Sequence, residues 1–177
     1  MASPREFNWD KITALSAVFI GACALLVSLY TAFLQRSQVR AQTWPFLQLW
    51  QTDEGRAFSV SNRGVGPARI LDVKVRVDGA EVGTFIESFR KLSGHEPKGL
   101  KVSYFARRVL AANEDVRMAT FDSDAEYQVF RDGRPRMSFA ICYCSLLNEC
   151  YLIDERAAGQ ELRPVAACPV GDAGQFH

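Results

Sequence analysis

From Ile12 to Leu34 the chain reads ITALSAVFIGACALLVSLYTAFL, with no charged side chain. At 1.5 Å per residue a helix of this length spans roughly 34 Å, enough to cross a hydrocarbon core of about 30 Å with some tilt. The run is longer than the apolar stretch of a cleavable signal peptide, so it reads as a signal anchor. IGAC, ending at Cys23, loosely matches a lipoprotein box, but ALLVSLYTAFL follows it where a mature lipoprotein turns polar. The polar stretch QRSQVRAQT extends the helix, and Pro45 disfavours helical geometry at Trp44, so the helix should end there.

Beyond Pro45 the period changes from helical to alternating. FLQLWQT and RAFSVSN read as strands. In ARILDVKVRVDG, Ile70, Asp72, Lys74 and Arg76 alternate with Leu71, Val73, Val75 and Val77, which predicts one wet and one buried face. EVGTFIESFRKLSG predicts a short helix, with Phe85, Phe89 and Leu92 on one face and Gly94 as its stop. LKVSYFARRVL and EDVRMATF read as two further strands. DSDAEYQVF, with Asp122 or Ser123 as N-cap, predicts a second helix, and RDGRPR a solvated turn. RMSFAICYCSLL, CYLIDE and ELRPVAA complete a set of seven or eight short strands.

The pattern is mainly β. It predicts a transmembrane helix followed by an immunoglobulin-like β-sandwich with one or two short inserted helices; a small β-barrel is the alternative. The expected divisions are an N-terminal flank at 1–11, the membrane helix at 12–34, a helical linker at 35–44, the β-sandwich at 45–166 and a disordered tail at 167–177.

Between the second and third strands, NRGVGPA carries turn chemistry. Asn62, Gly64 and Gly66 tolerate positive φ, and Pro67 sets the exit into the next strand. No helix follows to supply a phosphate site and no lysine completes a P-loop, so a nucleotide reading fails. In the apolar helix, Ala17, Gly21, Ala24 and Ser28 align along one face. Such a seam permits close packing with a second copy or a partner helix, although small residues are common in membrane helices generally.

Composition narrows the picture. The 177 residues carry 21 basic and 20 acidic side chains, for a formal charge of +1, which argues against nucleic acid as a partner. There are two histidines, His95 and His177, so an imidazole base or His-rich metal site has little to draw on. No H-E-x-x-H or G-x-S-x-G pattern organises the acids and serines, and no residue is assigned a catalytic or cofactor-binding role.

Three of the five cysteines fall within CYCSLLNEC. If 145–149 form a hairpin loop, Cys144 and Cys150 face each other across a ladder at a Cα separation a disulfide tolerates. Cys142 points to the same face as Cys144, and Cys168 could reach it if the last segment packs alongside. Cys144–Cys150 is the preferred bond and Cys142–Cys168 the weaker of the two; four cysteines allow three pairings. Buried unbonded thiols, a soft-metal site and a nucleophile are the other readings of the same residues.

A disulfide implies an oxidising compartment for the C-terminal part. Flanking charge is nearly balanced, Arg5 and Lys11 against Arg36 and Arg40, with the amino terminus tipping the count towards an internal N-terminus.

WPFLQL after one apolar helix, NRGVGPARILDVKVRVDG, and CYCSLLNEC together resemble an uncharacterised group of bacterial single-pass membrane proteins. That group combines an N-x-G-x-GPA turn, a V-x-V-x-x-DG strand and a CYCS segment followed by another cysteine and an aromatic. Tyr151 stands where Trp is more usual. The likeness covers most of 44–151. It implies a bacterial envelope location, which with the anchor helix means the inner membrane, and no catalytic residue carries over from it.

These readings converge on a single-pass protein of the lipid bilayer with its β part in the periplasm, the cytoplasm being the alternative. The expected role is a non-catalytic interaction or accessory module of an envelope or defence complex, with a protein partner or a homodimer. The alternative is a thiol-redox or soft-metal protein using the C-terminal cysteines.

Overall fold

The computed structural model describes residues 9–156, 162–169 and 176. The chain divides into two compact units, Met1–Ala41 and Gln42–His177. The first holds α1 (Trp9–Gln42), 34 residues long, none of them buried. At 1.5 Å per residue it measures about 51 Å, longer and more apolar than a membrane crossing requires. Its serine and threonine hydroxyls are satisfied inside the helix: Ser28 Oγ donates to Ala24 O at 2.8 Å and Thr31 Oγ1 to Val27 O at 2.8 Å. That matters in an apolar medium, where an unpaired hydroxyl has no water to bond. The helix stops at Gln42, two residues short of the Trp44–Pro45 bond that the sequence marks as its limit.

The second unit is built from antiparallel strands in two sheets. In chain order these are β1 (Leu47–Thr52), β2 (Ala57–Asn62), β3 (Ala68–Val77), β4 (Ala80–Val82), β5 (Leu100–Val102), β6 (Val109–Leu110), β7 (Asp115–Phe121), β8 (Met137–Cys144), β9 (Cys150–Asp154) and β10 (Leu162–Val165). Two helices interrupt them, α2 (Phe85–Ser93) and α3 (Asp124–Gly133), the latter continued by a 3-10 turn at Arg134–Arg136. One sheet has the order β1-β2-β7-β5. The other runs β10-β9-β8-β3-β4, with β6 also paired to β3.

A single apolar core serves both sheets. Phe58 of β2 lies 4.9 Å, ring to ring, from Phe139 of β8. Phe130 of α3 stands 5.7 Å from Phe58 and 5.1 Å from Phe121 of β7. The helices form for local reasons. Thr84 Oγ1 accepts from Glu87 N at 3.0 Å, and Gly94 closes α2 in the left-handed region at φ 79°. Ser123 Oγ accepts from Glu126 N at 3.3 Å at the start of α3.

Four departures from the sequence pattern have physical causes. The stretch read as one strand, LKVSYFARRVL, is two: β5 pairs with β7 in one sheet and β6 with β3 in the other. Between them Phe105 is buried in the core, and Arg107 takes φ 56°, which turns the chain. Alternation in β3 is broken by a register shift between Ile70 and Asp72. The bulge turns Ile70 into the core beside Val73, Val75 and Val77, and displaces Leu71 outwards.

In RDGRPR, Asp132, Pro135 and Arg136 are exposed, but the segment ends α3 and forms the 3-10 turn, and one of its side chains turns inwards. Arg134 is mostly buried, 4.8 Å from the Phe58 ring centre and 5.0 Å from that of Phe139, and pairs with Glu155 at 2.6 Å. Finally, β4 adds an edge strand on β3 that three residues of sequence did not announce.

Within 167–177, where the sequence suggested disorder, the described residues are 167–169 and 176. Cys168 is bonded to Cys142, and Phe176 is buried with its ring edge-on to Phe85 at 4.7 Å. The flank at 1–8 and the start of the segment ELRPVAA at Glu161 lie outside the described residues.

Candidate functional site

Four cysteines meet on the outer face of the second sheet. In β8 the side chains of Phe139, Ile141 and Tyr143 enter the core, so Cys142 and Cys144 point the other way. Tyr143 is held there as a neutral phenol: burial pushes its pKa up to about 12, while its hydroxyl accepts from Leu47 N at 3.4 Å.

The β8–β9 hairpin sets Cys144 directly opposite Cys150. Its loop closes on Ser145, whose backbone N donates to Glu149 O at 2.8 Å and whose Oγ accepts from Leu147 N and Glu149 N, each at 3.2 Å. Asn148 supplies the left-handed residue at φ 59°, and its Oδ1 accepts from Arg69 Nη2 at 2.8 Å.

Cys144 is joined to Cys150, with Cα atoms 4.0 Å apart. Cys142 is joined to Cys168, with Cα atoms 5.6 Å apart, because β10 pairs with β9 and returns the chain beside the hairpin. Leu71, Leu152 and Val165 pack around the four sulfurs. Leu71 is available for this only because the β3 bulge turns it outwards.

The two bonds touch. Cys144 Sγ lies 3.8 Å from Cys168 Sγ. Both sulfurs are in disulfides and carry no hydrogen, so this is a nonbonded contact rather than a hydrogen bond. The sulfurs of Cys144, Cys150 and Cys168 all fall within 4.8 Å of one another. Thiolates at this spacing would suit a soft metal, but in the bonded state the thiolates that zinc or copper(I) requires do not exist.

Beside the cluster stands a residue that sequence reading placed on a wet face. Asp72 is paired with Cys142 in the ladder and is only 5% exposed. Burial pushes its carboxyl above the ordinary range, opposed by Lys74 and reinforced by Glu81. Periodicity could not have found it, since an aspartate in alternation looks solvated.

The NRGVGPA segment is a buried joint. Asn62 is fully buried. Its Nδ2 donates to Gly66 O at 2.8 Å, Ala111 O at 3.1 Å and Leu110 O at 3.2 Å, while its Oδ1 accepts from Gly64 N at 3.0 Å and Phe46 N at 3.2 Å. One side chain thus ties three segments together.

Positive φ is not what the glycines provide: Asn62, Gly64 and Gly66 are not among the left-handed residues. A Cβ at Gly66 would strike the Thr43 carbonyl, and one at Gly64 the backbone of Trp44–Phe46. Close approach of the incoming chain is the reason for both. Pro67 immediately precedes β3.

Ala17, Gly21, Ala24 and Ser28 lie on α1, with open space beside Gly21. Ser28 spends its hydroxyl hydrogen on Ala24 O, so the seam offers shape rather than an interhelical donor. His95 lies in the loop after α2, edge-on to Phe89 at 5.6 Å, with Nδ1 3.0 Å from Glu96 O.

A cleft between β1 and the β9–β10 edge, lined by Phe46, Leu47, Leu49, Ile153 and Leu162, holds about 80 Å³. That is well below the roughly 300 Å³ at which small-molecule sites begin. No family model, curated protein or solved structure matches the chain.

Proposed function

We propose that the protein is a single-pass membrane-anchored interaction module of a bacterial envelope, with its β unit in the periplasm and bound there to a protein partner or a second copy. The observation that carries this reading is α1 itself: an apolar helix of 34 residues with no residue buried. So much exposed apolar surface calls for a lipid environment. The two disulfides support an oxidising compartment for the β unit, and with it the reading that the N-terminus is cytoplasmic.

An immunoglobulin-like topology is part of the same reading. The order β1-β2-β7-β5 corresponds to strands A-B-E-D of that fold, and β9-β8-β3-β4 to G-F-C-C′, with β10 added beyond G. Folds of this kind present loops for binding at the ends of the sheets. Here the β2–β3 and β8–β9 loops share one end and expose Val65, Leu146 and Leu147. The likeness to bacterial single-pass proteins noted in the sequence agrees with this assignment.

The test is thiol labelling of whole cells with a membrane-impermeant maleimide, before and after an impermeant phosphine reductant. Labelling that appears only after reduction, in intact cells, is the expected result. Thiols that react only once the cells are lysed would place the β unit in the cytoplasm and overturn the proposal. For the partner, mild crosslinking should trap a discrete larger species that Leu146→Asp with Leu147→Asp abolishes; a monomer under every condition would refute docking.

A further inference from the structure

The two disulfides are in contact with each other on the outer face of the second sheet. Their residues also differ in exposure. Cys150 and Cys168 are 9% and 8% exposed, whereas Cys142 and Cys144 are 1% exposed each. Each bond therefore joins an inner residue to a slightly more exposed, outer one. The inner sulfur of one bond, Cys144, sits 3.8 Å from the outer sulfur of the other, Cys168.

We propose that Cys142, Cys144, Cys150 and Cys168 form a thiol–disulfide exchange centre, in which opening one bond from outside causes the second to migrate. The co-reactant is a dithiol. One of its thiolates attacks Cys150 Sγ, forming a mixed disulfide and releasing Cys144 as a thiolate. That thiolate attacks Cys168 Sγ: the Cys144–Cys168 bond forms, the Cys142–Cys168 bond breaks, and Cys142 leaves as a thiolate that takes up a proton. The second thiol of the dithiol then attacks its own sulfur in the mixed disulfide and frees Cys150, which is protonated in turn.

The dithiol loses two electrons and two protons and becomes a disulfide. The protein accepts both, keeping one bond between Cys144 and Cys168 and gaining thiols at Cys142 and Cys150. The internal step is fast relative to any outside encounter, because reactants held in contact behave as if at very high local concentration. This chemistry goes beyond anchoring and docking, and does not depend on them.

The decisive experiment needs no reductant. In full-length Cys150→Ala protein in detergent, Cys144 is a standing thiol against the remaining bond. The sample is acid-quenched, alkylated with N-ethylmaleimide in denaturant and mapped by peptide mass spectrometry, with Cys23 labelled throughout as an internal standard. Exchange predicts two populations, one alkylated at Cys144 and one at Cys142, the latter at a quarter or more of the total. Alkylation of Cys144 alone, with Cys142 below about a twentieth, overturns the proposal.

In wild-type protein treated with limiting dithiothreitol, the half-reduced pool should contain molecules alkylated at Cys142 and Cys150 together. Cys144→Ala should slow the appearance of Cys142 alkylation at least tenfold. An unchanged rate would mean that external thiols strike Cys168 directly, and would refute migration through Cys144.

Discussion

The two disulfides should differ in what they contribute to stability, and the difference follows from where they join the chain. In the chain-entropy picture a cross-link stabilises by restricting the unfolded ensemble, and more so for longer loops. Cys144–Cys150 closes a separation of 6 residues, whereas Cys142–Cys168 closes one of 26. The loop-closure relation gives about 2 kcal/mol for the first and about 3.5 kcal/mol for the second at 25 °C.

Replacing each pair by two alanines also removes buried sulfur, but that cost is nearly common to both. Each pair joins one sulfur-bearing residue at 1% exposure to one at 8% or 9%, and all four lie in the same cluster. The comparison between variants therefore isolates the loop effect, about 1.3 kcal/mol. In a unit of this size that corresponds to roughly 3 to 6 °C in Tm. The assay is urea unfolding of full-length protein in detergent, followed by near-ultraviolet circular dichroism of the β unit. Cys142→Ala with Cys168→Ala should lower the midpoint more than Cys144→Ala with Cys150→Ala. If the short-loop variant were the less stable, chain entropy would not be what these bonds supply, and the reasoning would fail.

Asn62→Ala strands two buried N–H donors and three carbonyls, so it should destabilise the β unit by about 3 kcal/mol or more; a loss under about 1 kcal/mol by urea unfolding would show that water replaces the side chain. Gly66→Ala should cost about 1–3 kcal/mol through collision with Thr43, with no contribution from left-handed strain, and a neutral result would refute the close approach. Asp72 has a folded-state pKa above its ordinary 3.8, so its favourable contribution is fully present below about that pH and is lost as pH rises through the folded value. Asp72→Asn should therefore gain stability over wild type at pH 7, with the gain vanishing near pH 3.5. Comparing the two proteins at each pH cancels Asp154, which Arg156 holds below its usual range and which loses stability in the opposite direction; a gain that persists undiminished at pH 3.5 would exclude the ionisation argument.

Much of this architecture was legible because the signals are local. The charge-free run in α1, the alternation in β1 and β2, and the caps at Ser123 and Gly94 each depend on neighbours within a few residues. The hairpin that faces Cys144 to Cys150 is legible for the same reason, since a five-residue loop sets its own register. What escaped the sequence is non-local. Nothing in LKVSYFARRVL says that its two ends belong to different sheets, because the choice is made by the pairing of β5 with β7 and β6 with β3. Arg134 looks solvated in RDGRPR and becomes mostly buried only because Phe58, Phe139 and Glu155 arrive from elsewhere in the chain.

The bulge in β3 shows how one such feature reaches the site. A two-residue period through ARILDVKVRV would leave Ile70 outside and bring Leu71 into the core. Both are apolar, so periodicity alone cannot choose between them. The register shift between Ile70 and Asp72 puts Ile70 in the core and gives Leu71 to the outer face, against the cysteines. Asp72 stays on that outer face but is buried there, paired with Cys142. The same irregularity thus supplies the apolar cover of the disulfides while the core below loses no side chain. A β3 strand without the shift would keep a continuous core, through Leu71 in place of Ile70, but would leave the sulfur cluster without Leu71. The cover over these four cysteines is therefore a property of the outer face, separable from what the fold needs to pack.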